Sequence, residues 1–281
     1  MPTLEFHGHR RGAKSARLIK HIPAADEALL ESVLEPAQKQ ALLDWLALPS
    51  VQERHGQDPD IHSISVVPAN WSTLPGWKET AIGTQGEPTQ LSRGHIFGLA
   101  AHARTTHEWL PVLVSSYAWG QGTNGYGPHR LRKILGTQPQ DVESALSSAV
   151  TTVESEGSAQ GYRYLQGRVT GLGPAFFTKF LYFAGHALPT GHGLAPLILD
   201  ARVATSMRAI AASVYKARGL PDDLAAWLWS SGGWSPHRYE TYLKWATQVT
   251  HAMHQQVTDW PDRPDLLELA LFDGAFVQAH R

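Results

Sequence analysis

Between two stretches of helical periodicity the chain reads Gly171-Leu172-Gly173-Pro174, and no other segment limits the possible folds so tightly. Gly171 and Gly173 permit a tight turn with exposed backbone, and Pro174 suits the first position of a helix. A short helix ending near Val169 and a second one starting at Pro174 therefore make a hairpin within GRVTGLGPAFFTKFLYFAG, residues 167–185. Its N–H groups lie at the positive end of the second helix and suit a DNA phosphate without reading sequence. The same turn also serves as a plain connection between packed helices.

The rest of the chain reads as mostly helical. Residues 25–48 carry leucines near helical spacing, with Pro36 marking a break or kink. From Ile61 to Lys78 short alternation followed by Pro and Trp suggests a strand or irregular covering segment. Helical patterns return at about 93–118, 128–135, 141–154 and 161–168, then at 199–217 and 221–230. Ser235 and Pro236 open a long final helix. We expect residues 1–90 to form a basic arm, helices and a covering segment, and 91–281 a helical region with the hairpin at about 161–186, in one compact unit.

With 42% hydrophobic and 17% charged residues in 281, the chain has enough apolar content to bury a substantial core. The absence of Cys excludes disulfides and Cys-ligated metal, and it fits a reducing, cytoplasmic setting. No apolar run approaches a membrane span, so no membrane association is expected. A formal charge of −1 argues mildly against nucleic-acid binding, yet Arg10, Arg11, Lys14, Arg17 and Lys20 fall between His7 and His21 with no acid among them. That arm is either a phosphate-contacting segment or a solvated terminus.

Three pieces in order resemble the helix-hairpin-helix DNA glycosylases, in particular their 8-oxoguanine DNA glycosylase-like branch. LVSSYAWGQGTNGYGPHRLRKIL looks like the early helix, Gln-containing loop and next helix, with Gln121 and Thr123 in the loop. TGLGPAFFTKFLYFAG looks like the hairpin, and APLILDARVATSMRAI like the segment where the catalytic aspartate opens a helix. The resemblance implies a mostly α, two-lobed helical fold with a short irregular or β-containing N-terminal segment. It also implies a double-stranded DNA partner carrying a damaged or modified base; from the residues themselves, no cofactor or metal is expected.

In that family the base is flipped from the duplex into an aromatic or apolar pocket, and the aspartate assists cleavage of the N-glycosidic bond. Asp200 takes that position; it also suits the N-cap of the helix starting at Ala201. Gly171, Gly173, Gln121 and the arm residues Arg10, Arg11 and Lys14 become DNA contacts, and Trp119 and Phe177 candidates for stacking on the base. Bifunctional relatives place a lysine two residues after the second hairpin glycine, where this chain has Ala175. Lys179 follows one turn later on the same face, and helical side chains lean towards the N-terminus. Buried among Phe176, Phe177, Phe180 and Tyr182, its amine becomes a nucleophile through a lowered pKa; exposed, it is a snorkelling lysine or a phosphate contact.

Gly120-Gln121-Gly122-Thr123-Asn124-Gly125 matches a dinucleotide fingerprint, with Asp141 at 21 residues from Gly120, but the flanking sequence lacks βαβ alternation. His251 and His254 are a lone helical pair rather than a metal motif. The resemblance thus leaves two functions: an enzyme excising a base, or a non-catalytic helix-hairpin-helix DNA-binding protein.

Overall fold

The computed structural model describes residues 13–32, 36–136, 138–186, 188, 193–258 and 260–278. In chain order the helices are α1 (Ala13–Ile19), α2 (Ile22–Glu31), α3 (Pro36–Leu46) and α4 (Pro49–Arg54). Strands β1 (Ser63–Val66) and β2 (Thr89–Ser92) pair antiparallel, with Ile64 opposite Leu91. Six helices follow: α5 (Arg93–Thr106), α6 (Leu110–Gln121), α7 (Tyr126–Leu135), α8 (Pro139–Glu156), α9 (Ser158–Leu165) and α10 (Pro174–Gly185). The last five are α11 (Ala201–Ala217), α12 (Leu224–Leu228), α13 (Pro236–Gln256), α14 (Pro264–Asp273) and α15 (Ala275–Gln278). The mostly α fold with a small β element near the N-terminus is therefore observed.

The chain forms two compact units, residues 53–198 and residues 1–52 with 199–281. The division does not fall at residue 90, because α2 and α3 find their packing partners in α11, α13, α14 and α15, far along the chain. Periodicity reports which face of a helix is apolar, not which distant helix covers it.

The 53–198 unit is built around α6, whose residues Pro111 to Trp119 are all buried. A helix apolar on every side must be surrounded, and α5, α7, α8, α10 and β1 pack against it. The single helical pattern expected over 93–118 is broken. His107 adopts a left-handed φ of 62° and ends α5, and Pro111 lies in the first turn of α6. Glu143 of α8 accepts hydrogen bonds from the N–H groups of Trp109 and Leu110, capping α6 from outside the helix. Burial raises the Glu143 pKa, against the pull of those two N–H donors.

The other unit has its own aromatic core, including the buried Trp45, Trp229, Trp245 and Tyr239. Within it Asp26 of α2 accepts from Arg238 Nη1 and bonds to His237 Nε2, each at 2.6 Å. Burial opposes the charged carboxylate more than any single partner favours it, but His237 and Arg238 together hold its pKa below the ordinary value of 3.8.

Candidate functional site

The hairpin forms where the glycines place it, although α9 ends at Leu165 rather than near Val169. A turn through residues 166–173 then leads into α10. Gly171 has φ 84°, and a Cβ there would lie 3.2 Å from Ile134 of α7, so both conformation and space call for glycine. Gly173 differs: its φ of −84° suits any residue and a Cβ would meet nothing within 4 Å. What its lack of a side chain preserves is open access to the backbone. Among the described residues no backbone carbonyl accepts from the N–H groups of Gly171, Gly173 or Ala175. These are donors at the N-terminus of α10, with the helix dipole behind them.

One stripe of α6 receives α10. The Tyr117 ring stacks on Phe176 with centroids 3.9 Å apart and planes at 12°. One turn on, Gly120 lies under the Lys179 side chain. Lys179 is 5% exposed, and its Nζ donates to the Ala175 carbonyl oxygen at 3.1 Å and lies 5.9 Å from the Phe176 ring centre. The expected N-terminal lean therefore carries the amine back one turn, to the level of residue 175. Gly120, Gln121, Ala175 and Phe176 are only partly buried around it, and Arg130 of α7 sits over Phe176 at 5.4 Å. Burial pushes the Tyr117 hydroxyl pKa up to about 12, with Arg130 pulling the other way.

Gln121 ends α6, with its side-chain stem against Gly127. The helix that precedes Gly122 in the GQGTNG segment occupies the place where a dinucleotide fold needs a strand. Trp119 and Phe177 point elsewhere. Trp119 is 5% exposed and packs edge-on to His62 and Phe183, with Arg93 5.0 Å from its ring centre. Phe177, 1% exposed, meets Tyr162 edge-on in the core. Each helical step turns a side chain by about 100°, so it is Phe176, not its neighbour, that shares a face with Lys179 and Ala175.

Asp200 belongs to the other unit. It is the N-cap of α11, its Oδ1 accepting from the N–H groups of Arg202 at 3.0 Å and Val203 at 3.2 Å. Those bonds fix the orientation of a half-buried carboxylate. Arg10 and Arg11 lie outside the described residues, as does the side chain of Lys14, whose backbone belongs to α1.

A basic surface adds to these residues. Residues 109–140 and 157–199 contain no Asp or Glu at all, although the whole chain has 25. On α7 and the hairpin they expose Arg130, Arg132, Lys133, Arg163 and Arg168. The contact of Ile134 with Gly171 brings α7 against the hairpin turn. The near-neutral total charge averages this surface away; counting acids segment by segment reveals it.

Against known protein families, residues 57–272 match the one described as "Putative 8-oxoguanine DNA glycosylase OGG-like protein". No curated protein and no solved structure matches the chain. The family match spans well over half of the sequence, including the hairpin, Lys179 and Asp200. The chain belongs to the 8-oxoguanine DNA glycosylase OGG-like family.

Proposed function

We propose that this protein is a DNA glycosylase that extrudes a damaged or modified base from duplex DNA and cleaves its N-glycosidic bond. The observation that carries the reading is Lys179, a buried lysine whose amine is delivered beside Ala175 next to a helix-hairpin-helix turn. A surface lysine would gain nothing from that placement; a nucleophile held in a low-dielectric site would.

In this reading the hairpin amides and the basic residues of α7 and α9–α10 hold phosphates, which fixes register without selecting sequence. Phe176, already stacked on Tyr117, offers the aromatic face near the reacting centre. The Lys179 amine attacks the sugar C1′ as the bond to the base breaks, and the base leaves with the bonding electron pair and takes up the proton that the attacking nitrogen releases. Opening of the sugar ring then gives a C1′ iminium joined to Lys179. Asp200 assists by stabilising positive charge that develops on the sugar. An iminium permits elimination of the 3′ phosphate, so strand cleavage follows base loss. The family description makes 8-oxoguanine the first base to test.

Borohydride reduction in the presence of an abasic-site duplex tests the assignment. The expected result is a covalent adduct whose peptide map places the sugar on Lys179, lost in Lys179→Ala. An adduct that persists in Lys179→Ala assigns the amine elsewhere and overturns this role.

A further inference from the structure

We infer that Gly120 is a positioning residue for the Lys179 amine, its missing side chain being what lets the lysine lie flat along α6 and reach Ala175. This inference rests on the nucleophile role proposed for Lys179. A Cβ at residue 120 would stand 2.9 Å from Lys179 Cδ and 3.0 Å from Cε, with Phe176 Cε1 at 3.6 Å. All three are side-chain atoms, and the two tight ones belong to the flexible stem of one lysine. The fold can therefore accept a methyl group here by shifting the lysine stem, which carries the amine.

The position of Gly120 in its helix sharpens the point. It is the penultimate residue of α6, and the one glycine in that helix. Glycine in a helix is worse than alanine by roughly 0.5–1 kcal/mol, so local stability alone would favour alanine at this position. Tyr117, three residues earlier on the same stripe, supports Phe176 by stacking. The stripe thus presents a large residue under the aromatic ring and none under the lysine. Both choices act on the same two α10 residues.

The test compares Gly120→Ala with the parent in borohydride trapping on an abasic-site duplex, alongside DNA binding and melting. Displacing a reacting group by about an ångström costs up to roughly 100-fold. Gly120→Ala should slow trapping by about 10- to 100-fold, with duplex affinity unchanged and Tm not lowered. A second measurement holds even if the variant folds poorly: in a Lys179→Ala background, which vacates the space, Gly120→Ala should change Tm more favourably than in the parent. Trapping on Lys179 at the parental rate in Gly120→Ala overturns the inference alone. Additive Tm effects do the same. A parental adduct that maps to another amine, or no parental adduct, removes the nucleophile role and this inference with it.

Discussion

Lys179 Nζ donates to the Ala175 carbonyl oxygen, one turn back along α10, at 3.1 Å. The side chain thus lies along the helix rather than out into water, and its four-carbon stem fills space in the 53–198 unit. Methionine has a similar length and no amine. Lys179→Met should keep stability within about 1.5 kcal/mol, as volume-conserving swaps do, and should abolish borohydride trapping. Denaturant melts and trapping gels check both halves.

The two hairpin glycines should separate. Gly171 holds φ 84° with Ile134 close by, and an L residue forced there costs about 1–2 kcal/mol. Gly171→Ala should lower Tm measurably. Gly173→Ala, at φ −84° in open space, should leave Tm near the parent yet weaken DNA binding by placing a methyl group over the exposed amides. Equal Tm losses would contradict the assignment of distinct roles.

Phosphate binding by the basic residues of α7 and the hairpin has a salt signature. Removing one cation from a duplex phosphate reduces the slope of log K against log salt by about 0.9. Arg130→Ala, Lys133→Ala and Arg168→Ala should each flatten that slope by about this amount and weaken binding to undamaged duplex as much as to damaged. Titration at several salt concentrations gives the slopes.

Asp26 governs stability in acid. Because His237 and Arg238 hold its pKa below 3.8 despite burial, the folded state binds fewer protons than the unfolded one in that range. The stabilisation is complete above the unfolded value and is lost as pH falls through the lower folded value. Asp26→Ala leaves the buried Arg238 guanidinium without its carboxylate and should cost about 3–5 kcal/mol. In Asp26→Asn the drop in Tm on acidification should be shallower than in the parent.

Local signals make much of the fold legible in the sequence. Ser235 and Pro236 announce α13, and Ser235 Oγ does accept from the N–H of Arg238. Pro36 separates α2 from α3, and the glycines of 171–173 mark the hairpin. Longer-range features are not legible. The Glu143 cap on α6 comes from 33 residues away, and no periodicity encodes it. The pairing of β2 with β1 depends on a partner 23 residues distant at its nearest, Val66 to Thr89. Composition cannot say which of the adjacent aromatics Phe176 and Phe177 lies beside Lys179. That is decided by the rotation of α10 against α6, and the Tyr117 stack fixes it on Phe176.

Release of a free base is the most direct test of base excision. Duplexes carrying 8-oxoguanine, an alkylated base or uracil, incubated with the parent protein and with Asp200→Asn, can be read by mass spectrometry of the released base. The parent should release the base from at least one duplex, and Asp200→Asn should lose that release while retaining DNA binding. Release from no duplex would contradict base excision for these substrates, and release undiminished by Asp200→Asn would contradict the role given to Asp200.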